Sequence, residues 1–325
     1  MRNRTAIAIA IAALAAALAL LPCSGAAAPP GCPSAVLGHA VAPGVALSEP
    51  AGAEVATREW SLAACFLSGG GSGYRFDLGM DYAYTRHEYE GVAGRDRDLH
   101  RLQLPLALGR QGRGWRVDAL LAPGVATSSN VFKDLGSRGT EEDFLLTGRV
   151  ELRLRRGSRS AWLLGVSHDR SLGETRTLPV AGLEYRPSAA LGLRLAWPDP
   201  ALEMALSPRQ SLVLDAFPAG QRWHVVSDEL GETFDYRLEG WRVRATWSYR
   251  LAGGVVLDLG LAREFGREHG FTDDTGRRIE AGADAGYRFM LGLRIGAAPL
   301  PRGRGPALPR LAPSTGAAGR ATLGP

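Results

Sequence analysis

The dominant pattern in the middle of the chain is an alternation of apolar and polar residues with a period of two. In Tyr74–Tyr84 (YRFDLGMDYAY) the aromatic and aliphatic residues take the even positions, whereas Arg75, Asp77 and Asp81 take odd ones. Successive side chains of a β-strand point to opposite faces, so this alternation predicts a strand with one apolar face. It recurs in Leu102–Leu108, Trp115–Leu121, Phe144–Leu154, Leu191–Trp197, Leu202–Leu206, Trp241–Tyr249, Val255–Leu261 and Tyr287–Ile295.

One predicted strand changes its apolar parity partway along. Phe234, Tyr236 and Leu238 are apolar at even positions, whereas the apolar residues of Trp241–Tyr249 occupy odd positions. A β-bulge adds one residue to a strand and so reverses the face of everything beyond it. We therefore expect a bulge at Gly240 that brings both sets onto one face.

The connections between the strands are alternately short and long. Short ones are predicted near 109–114, 155–160, 186–190, 207–210 and 251–254, and longer polar ones near 86–98, 127–143, 170–177, 218–233 and 266–280. A tight Pro198–Pro200 turn stands where a long connection is expected. The pattern therefore predicts about twelve antiparallel strands over residues 74–296, with short turns at one end. This is the plan of a closed up-and-down transmembrane β-barrel.

The nature of the second face separates this barrel from a soluble sandwich or soluble barrel. A soluble barrel fills its interior with apolar side chains, whereas here the face opposite the leucines carries most arginines and acids within strands. Aromatic residues near the strand ends suit the two interfaces of a membrane. These are Tyr84, Trp115, Trp162, Tyr185, Trp197, Trp241, Tyr249 and Tyr287.

The N-terminus has the three-part pattern of a secretory signal peptide. Arg2 and Arg4 precede an apolar run, Ala6–Leu21, and small residues follow it. We predict a signal peptide over 1–28, a membrane anchor being the alternative, then a periplasmic or flexible extension over 29–73. Residues 297–325 are rich in Pro, Gly and Arg and are predicted to form a disordered tail. These features together predict location in the cell outer membrane.

Composition and cysteine usage narrow the function further. The net charge is +5 and the pI is near 9.4, but basic and acidic residues are interleaved, which disfavours nucleic-acid binding. Cys23 would leave with the signal peptide or, alternatively, carry a lipid. Cys32 and Cys65 would then enter an oxidising compartment, where they are candidates for one disulfide.

Two segments carry resemblances to known proteins. Asp284, Gly286, Phe289 and Leu291 resemble the final-strand signal that outer-membrane barrels present to the barrel-assembly machinery, although here the tail follows it. The stretch from LPVAGLEYRPS through LRLAWPDPALEMALSPR resembles a Gram-negative family of outer-membrane β-barrel proteins of undetermined function. That resemblance covers residues 178–209 by motif and 74–295 by pattern, and it implies no catalytic residues.

Candidate catalytic and metal chemistry is sparse. Ser167 and His168 are the nearest pair for a barrel-embedded lipid hydrolase, but neighbours in a strand point to opposite faces. His87 and His269 fall in predicted external loops, where solvated charge is a simpler interpretation than a metal site. We therefore predict no enzyme activity, no cofactor and no metal, with lipid of the outer membrane as the partner.

The charged inner face is the main functional clue. It favours a narrow channel for passive passage of small solutes, in which the arginines would draw anions. The alternative is a non-conducting structural or surface-interaction barrel with an ion-paired interior. The residues predicted to line the interior are Arg75, Arg101, Arg116, Arg149, Arg153, Arg194, Arg242, Arg244, Arg288, Arg294, Asp77, Asp118, Glu151, Asp258 and Asp284.

Overall fold

The computed structural model describes residues 35–91, 97–227, 231–252, 254–273 and 275–296. These ranges form an all-β fold with two short helices, α1 Ser129–Phe132 and α2 Leu135–Arg138, which confirms the predicted class. The strands are β1 Ala35–Ala46, β2 Glu54–Gly71, β3 Tyr74–Glu90, β4 Arg97–Gln103, β5 Leu106–Gly112, β6 Trp115–Ser128, β7 Phe144–Arg156, β8 Ser160–Asp169, β9 Arg176–Tyr185, β10 Leu191–Trp197, β11 Ala201–Ser207, β12 Gln210–Pro218, β13 Gln221–Ser227, β14 Glu232–Arg250, β15 Val256–Asp273, β16 Arg278–Ala283 and β17 Gly286–Ile295. No helix within these ranges is long and apolar enough to cross a membrane.

The strands form one antiparallel ring. Most neighbours along the chain pair with each other, and β17 pairs with β1 from Ala35↔Ile295 to Val41↔Phe289, so the sheet returns to its start. Three strands are interrupted: β4 and β5 share β3 and β6 as partners, β12 and β13 share β14, and β16 and β17 share β15. Joining these segments leaves 17 − 3 = 14 strand positions around the ring.

The predicted count of about twelve is two strands short because β1 and β2 lie in the segment predicted as a flexible extension. β1 pairs with both β2 and β17, so it is part of the wall. Its inner face carries the small residues Gly38, Ala40 and Ala42, so the alternation in size that marks other strands is weak here. Residues 29–34 of the predicted extension, the signal peptide and the tail lie outside the described residues.

The two ends of the ring differ. One end has tight turns, such as those between β2 and β3 and between β5 and β6. The other end has longer connections, such as residues 129–143 between β6 and β7, which contain both helices. We call these the short-turn end and the long-connection end. Pro198–Pro200 is a tight turn at the second of these, as predicted.

The outer face of the ring is apolar. The large exposed side chains on it include Leu195, Val243, Leu259 and Leu291, and aromatic residues cluster near the two ends of the band. The aromatic residues that are more than a third exposed are Trp60, Phe66, Tyr74, Phe144, Trp162, Tyr185, Trp197, Phe265, Tyr287 and Phe289. An apolar band bounded by aromatic residues is the surface that a bilayer covers.

The bulge near Gly240 lies on the partner strand, which corrects the sequence interpretation. Glu239 pairs with Glu268 and Trp241 pairs with Phe265, so β15 holds two residues opposite the single Gly240 of β14. Gly266 has a φ of 57°, the left-handed conformation that a bulge glycine adopts. The parity of β14 therefore continues unbroken, and its apolar residues at 234–238 point into the ring.

Candidate channel interior

The residues predicted to line the interior occupy the inner face of the ring, with one exception. Parity along each strand places all of them inward except Asp284. Asp284 is exposed in the break between β16 and β17, and its backbone N–H donates to the carbonyl of Ala46 at 3.0 Å. Its predicted inward position is wrong because the strand is interrupted at this residue, so the pleat does not fix its side chain.

The inner arginines are paired with acids on the same strand, on the neighbouring strand or, for Arg153 and Glu184, on the next strand but one. Most of these side chains are nearly buried, and Arg294 is 2% exposed. Charge-assisted hydrogen bonds of this kind are the strongest polar contacts in proteins. The simple pairs are Arg75–Asp77 at 2.5 Å, Arg101–Asp81 at 3.3 Å, Arg116–Asp118 at 2.7 Å, Arg153–Glu184 at 2.7 Å, Arg244–Asp215 at 2.8 Å and Arg294–Asp258 at 2.7 Å.

A first network joins β7 to β10 through the Pro198–Pro200 turn. Arg149 lies 2.9 Å from Glu151 and 3.2 Å from Asp199. Arg194 lies 2.8 Å from Glu151 and 3.2 Å from the same Asp199. Asp199 is buried although it lies in a tight turn, because the short β10–β11 hairpin ends level with these arginines and the turn folds inward.

A second network joins the two halves of the chain. Arg288 of β17 lies 2.7 Å from Glu59 of β2 and 3.5 Å from Glu264 of β15. Arg242 donates to the same Glu264, and Arg267 lies 3.6 Å from it. Glu59 was absent from the predicted set because it lies in the segment that was interpreted as an extension.

The ion pairs and networks described above are close to charge-balanced. The arginines in the pairs above, with Arg149, Arg194, Arg242, Arg267 and Arg288 added to the six simple pairs, number eleven. The acids they contact number ten, with Glu59, Glu151, Asp199 and Glu264 added to the six. An interior with this balance creates little net attraction for either sign of ion.

Above the ion pairs, toward the long-connection end, the interior is apolar. We call this cluster the cap: Leu99, Ala126, Leu145, Trp223, Val225, Phe234 and Tyr236, all buried. Trp223 and Tyr236 stack with their ring centroids 5.7 Å apart. The cap includes the inward residues of β14 that the sequence interpretation assigned to the outer face. The cap therefore occupies the interior between the ion pairs and the long-connection end.

The cap is held in place by a hairpin that reaches across the ring. The β13–β14 hairpin contacts the distant strand β6, where His224 pairs in parallel with Thr127. Thr127 Oγ1 donates to the carbonyl of His224 at 3.0 Å, and Asn130 Nδ2 donates to the carbonyl of Val226 at 3.4 Å. These contacts are noncovalent, so the hairpin is a candidate gate.

Two histidines predicted in loops lie inside the ring beneath this hairpin. His87 is in β3 and His269 is in β15, because both strands run further than the sequence pattern indicated. Tyr236 contacts His269 Nδ1 at 2.6 Å, and Thr57 Oγ1 contacts His87 Nδ1 at 2.9 Å. Burial lowers the pKa of His269 to about 3 and lowers the pKa of His87 well below its ordinary value. Both rings are therefore neutral near pH 7.

His224 forms a polar latch at the outer side of the hairpin. Its Nδ1 lies 3.3 Å from Glu142 and 3.6 Å from Asp235. Interaction with Asp235, helped by the charges of Asp143 and Glu142, raises the pKa of His224 above 6.5 despite its burial. Arg222 also contacts Asp235. A protonated His224 therefore ties the hairpin to the β6–β7 connection.

The only serine–histidine pair proposed for catalysis is divided by the sheet. Ser167 lies on the inner face of β8, and His168 lies on the outer face, where Nδ1 contacts Thr177 Oγ1 at 2.8 Å. The two side chains thus face different environments. The described residues also contain no group of three or more His, Cys, Asp or Glu side chains that could hold a metal ion.

The remaining predicted features divide between described and undescribed residues. Cys65 is disulfide-bonded, whereas Cys32 lies outside the described residues. In the proposed assembly signal, Phe289 and Leu291 are exposed on the outer face of β17, and Gly286 begins that strand. These positions present the two apolar side chains on the surface that a partner would meet.

Comparisons with known proteins return outer-membrane structures. No family model and no curated protein matches the chain. An outer-membrane channel from Pseudomonas putida F1 has 10% identity over 84% of this chain and 96% of its own, with a TM-score of 0.46. The Pseudomonas putida toluene transporter TodX has 11% identity over 81% and 89%, with a TM-score of 0.35. The β domain of the Bordetella autotransporter BrkA has 14% identity over 81% and 99%, with a TM-score of 0.32. At these scores the likeness specifies no function.

Proposed function

We propose that this protein is a closed, fourteen-stranded transmembrane β-barrel of the Gram-negative outer membrane that acts as a gated channel for small solutes. The observation that carries the membrane assignment is the inversion of the two faces, with leucines outside and arginine–acid pairs inside. The pairing of β17 with β1 leaves no free terminal strand for lipid to solvate, and this pattern is typical of outer-membrane barrels. The long-connection end then faces outward and the short-turn end faces the periplasm.

The size of the ring supports passage through it. Side chains just fill a ring of about 8 strands, whereas rings of about 16–18 strands leave an aqueous channel. Fourteen positions lie between these cases, so conduction through the ring requires that the cap move aside. The cap is held by side-chain and backbone hydrogen bonds to β6, and movement of the hairpin would remove Trp223 from the interior.

The charge balance limits the selectivity of such a channel. The arginines alone would favour anions, but eleven arginines face ten acids at contact distance. We therefore expect a weak preference for anions, and small polar solutes as the class that passes. The competing function is a non-conducting barrel, and the ion-paired, filled interior favours it.

Single-channel recording in a planar bilayer distinguishes the two functions. The double variant Thr127→Cys/His224→Cys is designed to lock the hairpin to β6 by a disulfide. The two positions pair directly in the β-ladder, and directly paired residues are close enough for a disulfide. We expect step openings from the wild type and from the reduced variant, and long closures after oxidation. Oxidation of the two single-cysteine variants is the control.

Two outcomes contradict the channel. The first is silence of the wild type together with silence of Trp223→Ala, in which the largest side chain of the cap is removed. The second is conductance that does not change when the hairpin is cross-linked. Reversal potentials in a salt gradient test the weak anion preference separately.

A further inference from the structure

The wall of the ring is incomplete above the short β10–β11 hairpin. β10 pairs with β9 only from Ala181 to Tyr185, so Arg176–Val180 pair with β8 on one side and with no strand of the described residues on the other. On the opposite side β12 pairs with β11 no further than Asp215, and Ala216 N–H donates to the carbonyl of Pro200 at 3.1 Å. We call this gap, between 176–180 and 217–218 above the Pro198–Pro200 turn, the side window.

The backbone around the side window is adapted to the absence of a neighbour. Pro179 lies in the unpaired part of β9, Pro218 ends β12, and Pro198 and Pro200 form the lower rim. Proline has no N–H, so it is confined to strand edges and leaves no donor unsatisfied there. Four prolines around one gap indicate that the opening in the hydrogen-bonded wall is permanent. At these four positions there is no backbone N–H that a further strand would have to pair with.

The β8–β9 connection crosses the gap on the side of the long-connection end, so the opening is bounded on all sides. Gly220 N–H donates to the carbonyl of Ser171 at 2.6 Å, which joins the β8–β9 connection to the β12–β13 link. Glu174 of the same connection lies 2.7 Å from Arg237 of β14. The approach at Gly220 is tight, since a Cβ there would lie 2.8 Å from the Ser171 carbonyl.

Two layers of side chains cover the side window in this conformation. On the outside, Trp197 and Trp241 meet with ring centroids 5.5 Å apart, although they belong to strands that are separated by β11 and β12. On the inside, Asp199 is held by Arg149 and Arg194 at 3.2 Å each. The indoles belong to the aromatic residues that we place at the outer interface, so the window lies level with the headgroups and the upper acyl chains.

We infer that the side window is a lateral portal through which lipid-soluble amphipathic small molecules pass between the outer leaflet and the barrel interior. The inference rests on the transmembrane barrel proposed above and adds a second route and a second class of substrate. The apolar side of such a molecule meets Trp197, Trp241 and the buried Val180. Its polar end meets the arginines behind Asp199. A side rotation of Trp197 opens the outer layer without breaking any strand pairing.

Thiol labelling of the barrel in lipid vesicles tests this portal. Ser167→Cys puts a thiol on the inner face of β8. Ser167 pairs with Leu178, which lies in the part of β9 that borders the side window. Ser211→Cys is the matched control, because Ser211 is also an inward, buried serine, but it lies near the short-turn end. Neither hydroxyl has a hydrogen-bond partner among the residues that the structure describes, so neither substitution breaks a hydrogen bond seen there. The probes are an N-alkylmaleimide dissolved in the bilayer and a charged methanethiosulfonate added to the water.

The expected result is faster labelling of Ser167→Cys than of Ser211→Cys by the bilayer-dissolved maleimide, by about tenfold or more, which corresponds to a barrier difference of about 1.4 kcal/mol. Trp197→Ala in the Ser167→Cys background should raise that rate further and leave the aqueous reagent's rate unchanged. Equal maleimide rates at the two cysteines, or no effect of Trp197→Ala, would overturn the portal. The readout needs no ion conduction, so a silent barrel that labels as expected refutes the gated channel alone.

Discussion

Removal of the Asp258 charge tests whether the interior is dry. Arg294 and Asp258 are each 2% exposed at the side chain, and Arg294 donates to both carboxylate oxygens at 2.7 Å. Ser248 completes the arrangement, with its hydroxyl 2.5 Å from Asp258. Asp258→Asn preserves the shape but leaves a buried guanidinium without its counter-charge. Breaking a buried pair in this way costs about 3–5 kcal/mol.

This loss of unfolding free energy should be measurable as a lower urea midpoint. With an m-value of about 3 kcal/mol/M, a loss of 3–5 kcal/mol lowers the urea midpoint by roughly 1–1.7 M. The assay is tryptophan fluorescence of the barrel in lipid vesicles, with heat-modified migration as a check on folding. The surface pair Arg58–Glu88, whose side chains are 59% and 27% exposed, is the control, and Glu88→Gln should cost no more than about 1 kcal/mol.

Two results would refute the reasoning about Asp258. A cost for Asp258→Asn as small as that of Glu88→Gln would mean that water surrounds Arg294 in the folded barrel. A cost that persists in Asp258→Leu/Arg294→Met would mean that shape, and not charge, is responsible. We expect this double variant to recover most of the stability, because well-packed apolar residues often replace a buried ion pair without loss.

Two further predictions concern the latch and the wall. The folded pKa of His224 is raised, so its contribution to hairpin closure is complete below pH 6.5 and is lost as the pH rises through the raised value. The pKa of buried His87 is lowered, so acid below pH 6.5 opposes closure, and open probability should be lowest near pH 6.5 and rise on both sides. His224→Gln should remove the alkaline rise in single-channel records, while His87→Gln should weaken the acid rise; an unchanged profile in either would contradict its assignment. Gly165→Ala should cost about 1–3 kcal/mol in urea unfolding, because its Cβ would lie 2.2 Å from the Val150 carbonyl, whereas Gly136→Ala meets nothing and should be neutral.

The sequence indicated most of the wall because strand alternation is a local property. A period of two fixes which side chains of Leu191–Trp197 share a face, and the order of short and long connections fixes which ends meet. The same parity placed Arg242 and Arg288 inward without any knowledge of their partners. It missed β1 because alanine and glycine on its inner face weaken the contrast on which the pattern depends. It missed β2 because Val55 lies on the inner face and Arg58 on the outer face, the reverse of the expected polarity.

The position of the bulge could not be inferred from β14 alone. The apolar residues at 234–238 suggested a reversal at Gly240, but the extra residue belongs to β15, at Gly266. A bulge is a mismatch between two strands, so its assignment requires the pairing of both. The cap could not be predicted from β14 alone for the same reason. The inward position of Tyr236 depends on how β14 pairs with β15.

The chain by itself determined the class of fold, the two faces of its strands and the charged character of the interior, because these follow from composition and period. Only the tertiary structure decided which charges meet. Arg288 and Glu59 are 229 residues apart in the chain and 2.7 Å apart in the ring. The hairpin across the mouth and the window above Pro198–Pro200 were likewise decided there, because each arises where distant segments pair or fail to pair around a closed sheet.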